Sequence, residues 1–182
     1  MDLASARDLD VIGAQIGRRP RGVTGVPRRC AYGFPQVVRV HPLVDGKPFP
    51  TLYWLTCPFL CRRIDHLEAS GWIGRLEEEL ERDAELREAF LLARAEYINQ
   101  RGEQLSDMEI GTLEERGMLR AIMSRGIGGI KEANRLKCLH LHVAHALAAG
   151  NPIGDRVLGQ IAPGECPSNR VICASFTASG SS

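Results

Sequence analysis

A chain of 182 residues, with 23 basic against 22 acidic side chains, 44% hydrophobic and 25% charged, has the balance of one globular domain with short appendages. It is too apolar for wholesale disorder, and no apolar run reaches the ~18–20 residues of a membrane span. The polar, acidic start Asp2-Leu3-Ala4-Ser5-Ala6-Arg7-Asp8 lacks the basic-then-apolar order of a secretory signal, so a cytoplasmic location without a membrane span is expected.

In chain order, residues 1–17 predict a short amphipathic helix through Leu9, Ile12 and Ile16, weakened by Gly13 and Gly17. Residues 18–29 read as a basic arm, made irregular by Pro20, Gly22, Gly25 and Pro27. A single domain is expected over 30–160. It opens on a hairpin: Gln36–Val40 alternates and is β-branched, Asp45-Gly46 is a turn, and Thr51–Leu55 is the second strand. Thr56 reads as an N-cap with Pro58 in the first turn of a helix running to about Ala69 and ended by Gly71.

The segment Arg75–Arg101 is helical in composition, but its apolar stripe shifts from Leu76 and Leu80 to Leu86, Phe90 and Tyr97. Either one helix changes its buried face, or Asp83 caps a second. Ser106–Glu109 is a capping box for a further helix that Gly117 interrupts. Gly126-Ile127-Gly128-Gly129 breaks the chain before a last long helix, Glu132–Ala149, which Gly150-Asn151-Pro152 stops. Residues 161–182 form a C-terminal tail, partly disordered. The fold class is α+β: a small β-hairpin or short antiparallel sheet packed on a bundle of four to five helices.

Six cysteines and five histidines stand beside only 5% aromatics. Without an export signal, such thiols point to a metal site or a reactive thiol rather than to disulfides. Residues four apart on a helix differ by about 40° in azimuth, so Cys57 and Cys61 share a face, as do Cys138, His142 and His145, with His140 opposite. Two such helices, with Cys30 nearby, have the ligand types of zinc or an iron–sulfur cluster. The competing enzyme reading takes Cys57, at a helix N-terminus before Arg62 and Arg63, as a nucleophile with a histidine base. Buried structural cysteines are the plain alternative.

Charge is segregated. From Val11 to Val44 there is no acid but six arginines, whereas Asp65–Glu115 holds fifteen acids against five arginines. Arg18, Arg19, Arg21, Arg28 and Arg29 therefore form an anion-binding candidate for polyphosphate, RNA or another nucleic acid, or else the arm lies on the acidic helix from Glu77 to Glu88. The scarcity of aromatics weighs against single-strand binding, and Trp54 and Trp72 read as core or core-edge residues. Gly126-x-Gly128-Gly129-x-Lys131 reads as a helix-breaking loop rather than a phosphate nest.

The ordered set Arg29-Cys30-x-Tyr32-Gly33-x-Pro35, Pro48-Phe49-Pro50-Thr51-Leu52-Tyr53-Trp54-Leu55-Thr56-Cys57-Pro58, Leu67-Glu68-Ala69-Ser70-Gly71, Lys137-Cys138-Leu139-His140, Ala144–Ala148 and Asn151-Pro152-x-Gly154 resembles a bacterial family, domain of unknown function 501, over about residues 11–160. The resemblance implies a small cytoplasmic protein of no established activity. Its members are often encoded near a septum-formation initiator, enolase and an exopolyphosphatase, which implies a link to division or polyphosphate. It also favours Cys30, Cys57, Cys138 and His145 as the metal set, with His140 as a ligand or an orienting donor, and makes Cys61 and His142 features of this chain that stay as alternates from the helix reading. The Cys57 reading takes His140 or His145 as its base. The role expected for the metal is structural or redox-sensing.

Overall fold

A computed structural model describes residues 2–177. The first helix, α1 (Ala6–Ile16), starts at a capping box in which Ser5 and Asp8 satisfy each other's backbone N–H groups, and it ends at left-handed Gly17. Strand β1 (Val23–Arg29) follows, so half of the expected irregular arm is sheet. Gly25 and Pro27 are tolerated because β1 is an edge strand whose register against β2 (Pro35–Val40) shifts repeatedly, as at bulges.

Next come the two-residue strands β3 (Leu43–Val44) and β4 (Lys47–Pro48), joined by Asp45 and Gly46, both at positive φ as the hairpin turn demands. Strand β5 (Tyr53–Leu55) completes an antiparallel sheet of order β1-β2-β5, with Val37 opposite Leu55 and Val38 opposite Trp54. The two-residue period sends Val37, Tyr53 and Leu55 to one face and Val38 and Trp54 to the other.

Helix α2 (Pro58–Ala69) is N-capped by Cys57 rather than Thr56, whose N–H and hydroxyl both bond Gln36 O and so extend the sheet. Helices α3 (Trp72–Arg82) and α4 (Ala84–Gly102) are separated at Asp83, which caps α4 through Leu86 N–H. That settles the register shift in favour of two helices. Helix α5 (Asp107–Glu115) has its capping box, and α6 (Leu119–Ser124) follows the break at Gly117.

The expected helix from Glu132 is shorter than predicted: α7 covers only Leu139–Ala148, with Cys138 as an extended N-cap. The preceding residues give their polar groups to neighbouring helices instead of to a helical turn. Leu136 N–H donates to Glu77 (2.8 Å), Arg135 pairs with Glu77 (2.7 Å), and Leu139 N–H donates to Glu68 (2.5 Å). Acidic α3 is thus met by this segment and by Arg156, not by the arginine arm.

Helix α8 (Pro152–Gln160), absent from the sequence-based prediction, is opened by Asn151 as N-cap with proline at its first position. It packs so tightly on α7 that a Cβ on Gly154 would overlap the His142 carbonyl oxygen and meet Ala146 Cβ at 2.5 Å. Gly154→Ala is expected to destabilise the protein by about 1–3 kcal/mol in urea unfolding. A loss below ~0.5 kcal/mol would show that the helices separate freely.

The larger core lies on one face of the sheet, where α2, α3, α4, α7 and α8 converge through Ile64, Leu80, Phe90, Tyr97, Val143 and Ile153. On the other face, Ile12 of α1 packs on Val38 and Val40, with Trp54 and Phe49 half-buried beside them. The C-terminal segment folds back on this framework. Gln36 donates to Gly164 O, Tyr32 to Cys166 O and Gln15 to Cys173 Sγ, and Ile172–Thr177 forms a 3-10 turn against α1. The expected disorder of residues 178–182 lies outside the described residues.

Candidate metal centre

Helix α2 carries Cys61, Asp65 and Glu68 at offsets of zero, four and seven, hence on one stripe. The N-terminus of α7 faces that stripe, held by the bond from Leu139 N–H to Glu68. Among the described residues, Glu68, Cys138 and His140 are the one group of three whose candidate ligand atoms all lie within 4.8 Å of each other. His140 Nδ1 is 3.2 Å from Glu68 Oε1, and its Nε2 is 3.3 Å from both Asp65 Oδ1 and the Cys61 carbonyl.

With carboxylate acceptors at both nitrogens the imidazolium is favoured, and a metal bound at His140 would displace one of its protons. Burial would lower its pKa, but Cys138, Glu68 and Asp65 outweigh that and raise it to about 9. Solvent reaches the group, since the side chains of His140 and Glu68 are about a quarter exposed and that of Asp65 is 65% exposed.

Two of the sequence candidates, Cys138 and His140, are therefore brought together, and Glu68 joins them. Glu68 was missed as a candidate ligand, and Asp65 as a partner of His140, although their helical spacing from Cys61 is visible in the sequence. Cys30, Cys57 and His145 do not belong to this group. Cys57 is 7% exposed, and burial pushes its thiol up to about 11, with the neighbouring Cys173 and Cys166 acting the same way against the helix N–H groups of Leu60 and Phe59. A nucleophile calls for the opposite shift. Cys61 is pushed up to about 12, again by burial first.

Since Cys138 is a cap and not a helical residue, only His142 and His145 share the inner face of α7. Both are buried, and both accept at Nδ1 from the Asn151 amide, at 3.4 and 3.1 Å. That fixes the neutral tautomer with the proton on Nε2. His145 stacks on Tyr53 (5.8 Å) and meets Tyr97 edge-on (5.0 Å), while His142 lies 5.6 Å from the Phe90 ring. Burial lowers their pKa values to about 3 for His142 and about 4 for His145.

The arginines divide. Arg29 is bound to Asp8 at 2.6 Å and reaches the Gly33 carbonyl, which leaves it engaged internally. Arg28 stays exposed on β1, whereas Arg18, Arg19 and Arg21 gather around one hollow beside Trp54.

Fold and site together define an α+β protein whose surface carries a mixed thiol, imidazole and carboxylate group between two helices. The chain belongs to the family described as protein of unknown function DUF501, whose match covers residues 26–159 and so contains the whole group. Comparisons with curated proteins and with solved structures gave no match. No helix among the described residues is long and apolar enough to cross a membrane.

Proposed function

We propose that the protein binds a zinc ion through Cys138, His140 and Glu68. The observation that carries this reading is the convergence of one thiol, one imidazole and one carboxylate within 4.8 Å, donated by two helices locked together beside the site. Zinc accepts such mixed sulfur, nitrogen and oxygen ligands, whereas an iron–sulfur cluster needs more thiolates than the one present in this group. Three protein ligands with solvent on the fourth side match zinc sites that keep an open position, and Asp65 flanks His140 as an orienting carboxylate.

The test is cobalt or zinc titration of the whole protein against a competing chelator. One equivalent is expected to bind, with sulfur-to-cobalt charge-transfer absorption. Cys138→Ser, His140→Ala and Glu68→Gln should each weaken binding by at least tenfold, while Cys57→Ser leaves it unchanged. Equal binding by Cys138→Ser would overturn the reading. A second reading has its own support, because the Cys138 thiol sits at a helix N-terminus beside an imidazolium. If no metal binds and Cys138 is alkylated ahead of the other five thiols, the site is a reactive cysteine.

A further inference from the structure

A separate site lies on the far face of the sheet. The turn after α1 and the β3–β4 hairpin enclose a cavity of about 350 Å³, with Arg18, Arg19, Arg21 and Lys47 at its rim and Phe49 and Trp54 among its lining. Four cations there meet one carboxylate, Asp45, which pairs with Arg21 at 2.7 Å. Among the described residues, Arg18, Arg19 and Lys47 have no ion-pair partner.

The local geometry holds the two walls together. Gly22 adopts φ +68°, and a Cβ there would meet Val44 at 2.7 Å, so a residue free of both restraints lets the turn close onto the hairpin. The Arg18 guanidinium lies 5.1 Å from the centre of the Trp54 ring, so that a flat cation and a flat aromatic share one wall. A second hollow, of about 650 Å³, continues past Arg18 and Arg19 along α1.

We infer that this cavity binds a nucleotide, with the phosphates on Arg19 and Lys47 and the base stacked on the Arg18 plane that lies over Trp54. Unpaired cations on a rim recognise phosphate, and the planar guanidinium does so with two donors at once. A bare phosphate would gain nothing from Trp54, Phe49 and the apolar lining, whereas a base stacked on such a wall gains both contact and desolvation. The volume lies within the range of small-molecule sites. The adjoining hollow allows the nucleotide to be free or one unit of a single strand. Trp54, expected in the core or at its edge, is half-buried beside three arginines.

The experiment titrates the full-length protein with ADP, adenosine, pyrophosphate and a single-stranded oligoadenylate, read by tryptophan fluorescence and calorimetry. ADP is expected to bind at least tenfold more tightly than adenosine or pyrophosphate. The double variant Arg19→Ala/Lys47→Ala changes two exposed side chains and should weaken ADP by at least tenfold with an unchanged circular dichroism spectrum. Trp54→Leu should weaken it about fivefold or more, with Trp54→Phe restoring most of the loss. Tighter binding of the oligonucleotide, with a salt slope reduced by about one per cation removed, identifies a strand as the source. Equal affinity per nucleotide identifies the free nucleotide. Pyrophosphate binding as tightly as ADP, or a double variant that binds like the parent, overturns the inference. Cys138→Ser should bind ADP as the parent does, which keeps this result independent of the metal site.

Discussion

Arg101→Ala is expected to lower the free energy of unfolding by about 3–5 kcal/mol, which for a chain of this size is a fall in Tm of roughly 10 °C. Arg101 sits in the last turn of α4 with no exposed surface. Among the described residues its guanidinium has no carboxylate partner. It donates instead to three backbone carbonyls, those of Pro50 (2.9 Å), Ile122 and Arg125, and lies 5.7 Å from the Tyr97 ring. One side chain thereby ties α4 to the loop before β5 and to both sides of the end of α6.

Burying an unpaired cation is costly, and the direction of its pKa shift, downward through burial, reports that cost. Charge-assisted hydrogen bonds of about 1.5–3 kcal/mol each offset it. Alanine removes all three and leaves a cavity, methionine keeps the stem, and lysine keeps the charge without the fork. The expected order of loss is alanine, then methionine, then lysine. A methionine variant more stable than the parent would show that the guanidinium is held against the fold's own interest.

Much of the scaffold was legible because its signals are local. Asp83 and Ser106 cap helices through bonds spanning three residues, and Asp45-Gly46 makes its turn with two. The site was less legible because it depends on partners far apart in sequence. A helix from Glu132 is reasonable on composition, but Glu77 and Glu68, some sixty to seventy residues away, take the N–H groups of Leu136 and Leu139 and move the helix start to Leu139. That displacement turns Cys138 from a helical residue sharing a stripe with His145 into a cap facing Glu68. Likewise, nothing near Trp54 in sequence announces the arginines that line the same cavity. The alternation of β5 does show that Trp54 points away from Tyr53 and Leu55.

Stability is expected to fall steeply as pH drops from about 6.5 to 4, by about 1.4 kcal/mol per pH unit from His145 alone. In the unfolded chain a histidine titrates near 6.5, whereas burial holds folded His145 at about 4. Between those values the unfolded state binds a proton that the folded state refuses, so stability rises with pH and acid favours unfolding. Over the whole window this amounts to about 3 kcal/mol, a large part of an ordinary domain's stability. Asp8 acts in the same direction in a lower window. The hydrogen bond from Arg29 holds its carboxyl well below the usual range, and the stability it contributes above about pH 4 is lost as pH falls further. The two windows separate the causes. His145→Phe keeps a ring beside Tyr53 and Tyr97, removes one of the two buried titrating rings, and should roughly halve the slope between pH 6 and 4.5, with His142, held at about 3, supplying the rest, even though losing the Asn151 contact lowers stability at pH 7. Asp8→Asn should leave that part of the slope intact and remove the change below pH 4. Urea unfolding across this pH range reads both slopes, and a His145→Phe profile parallel to the parent's would remove burial of this ring as the source of acid lability.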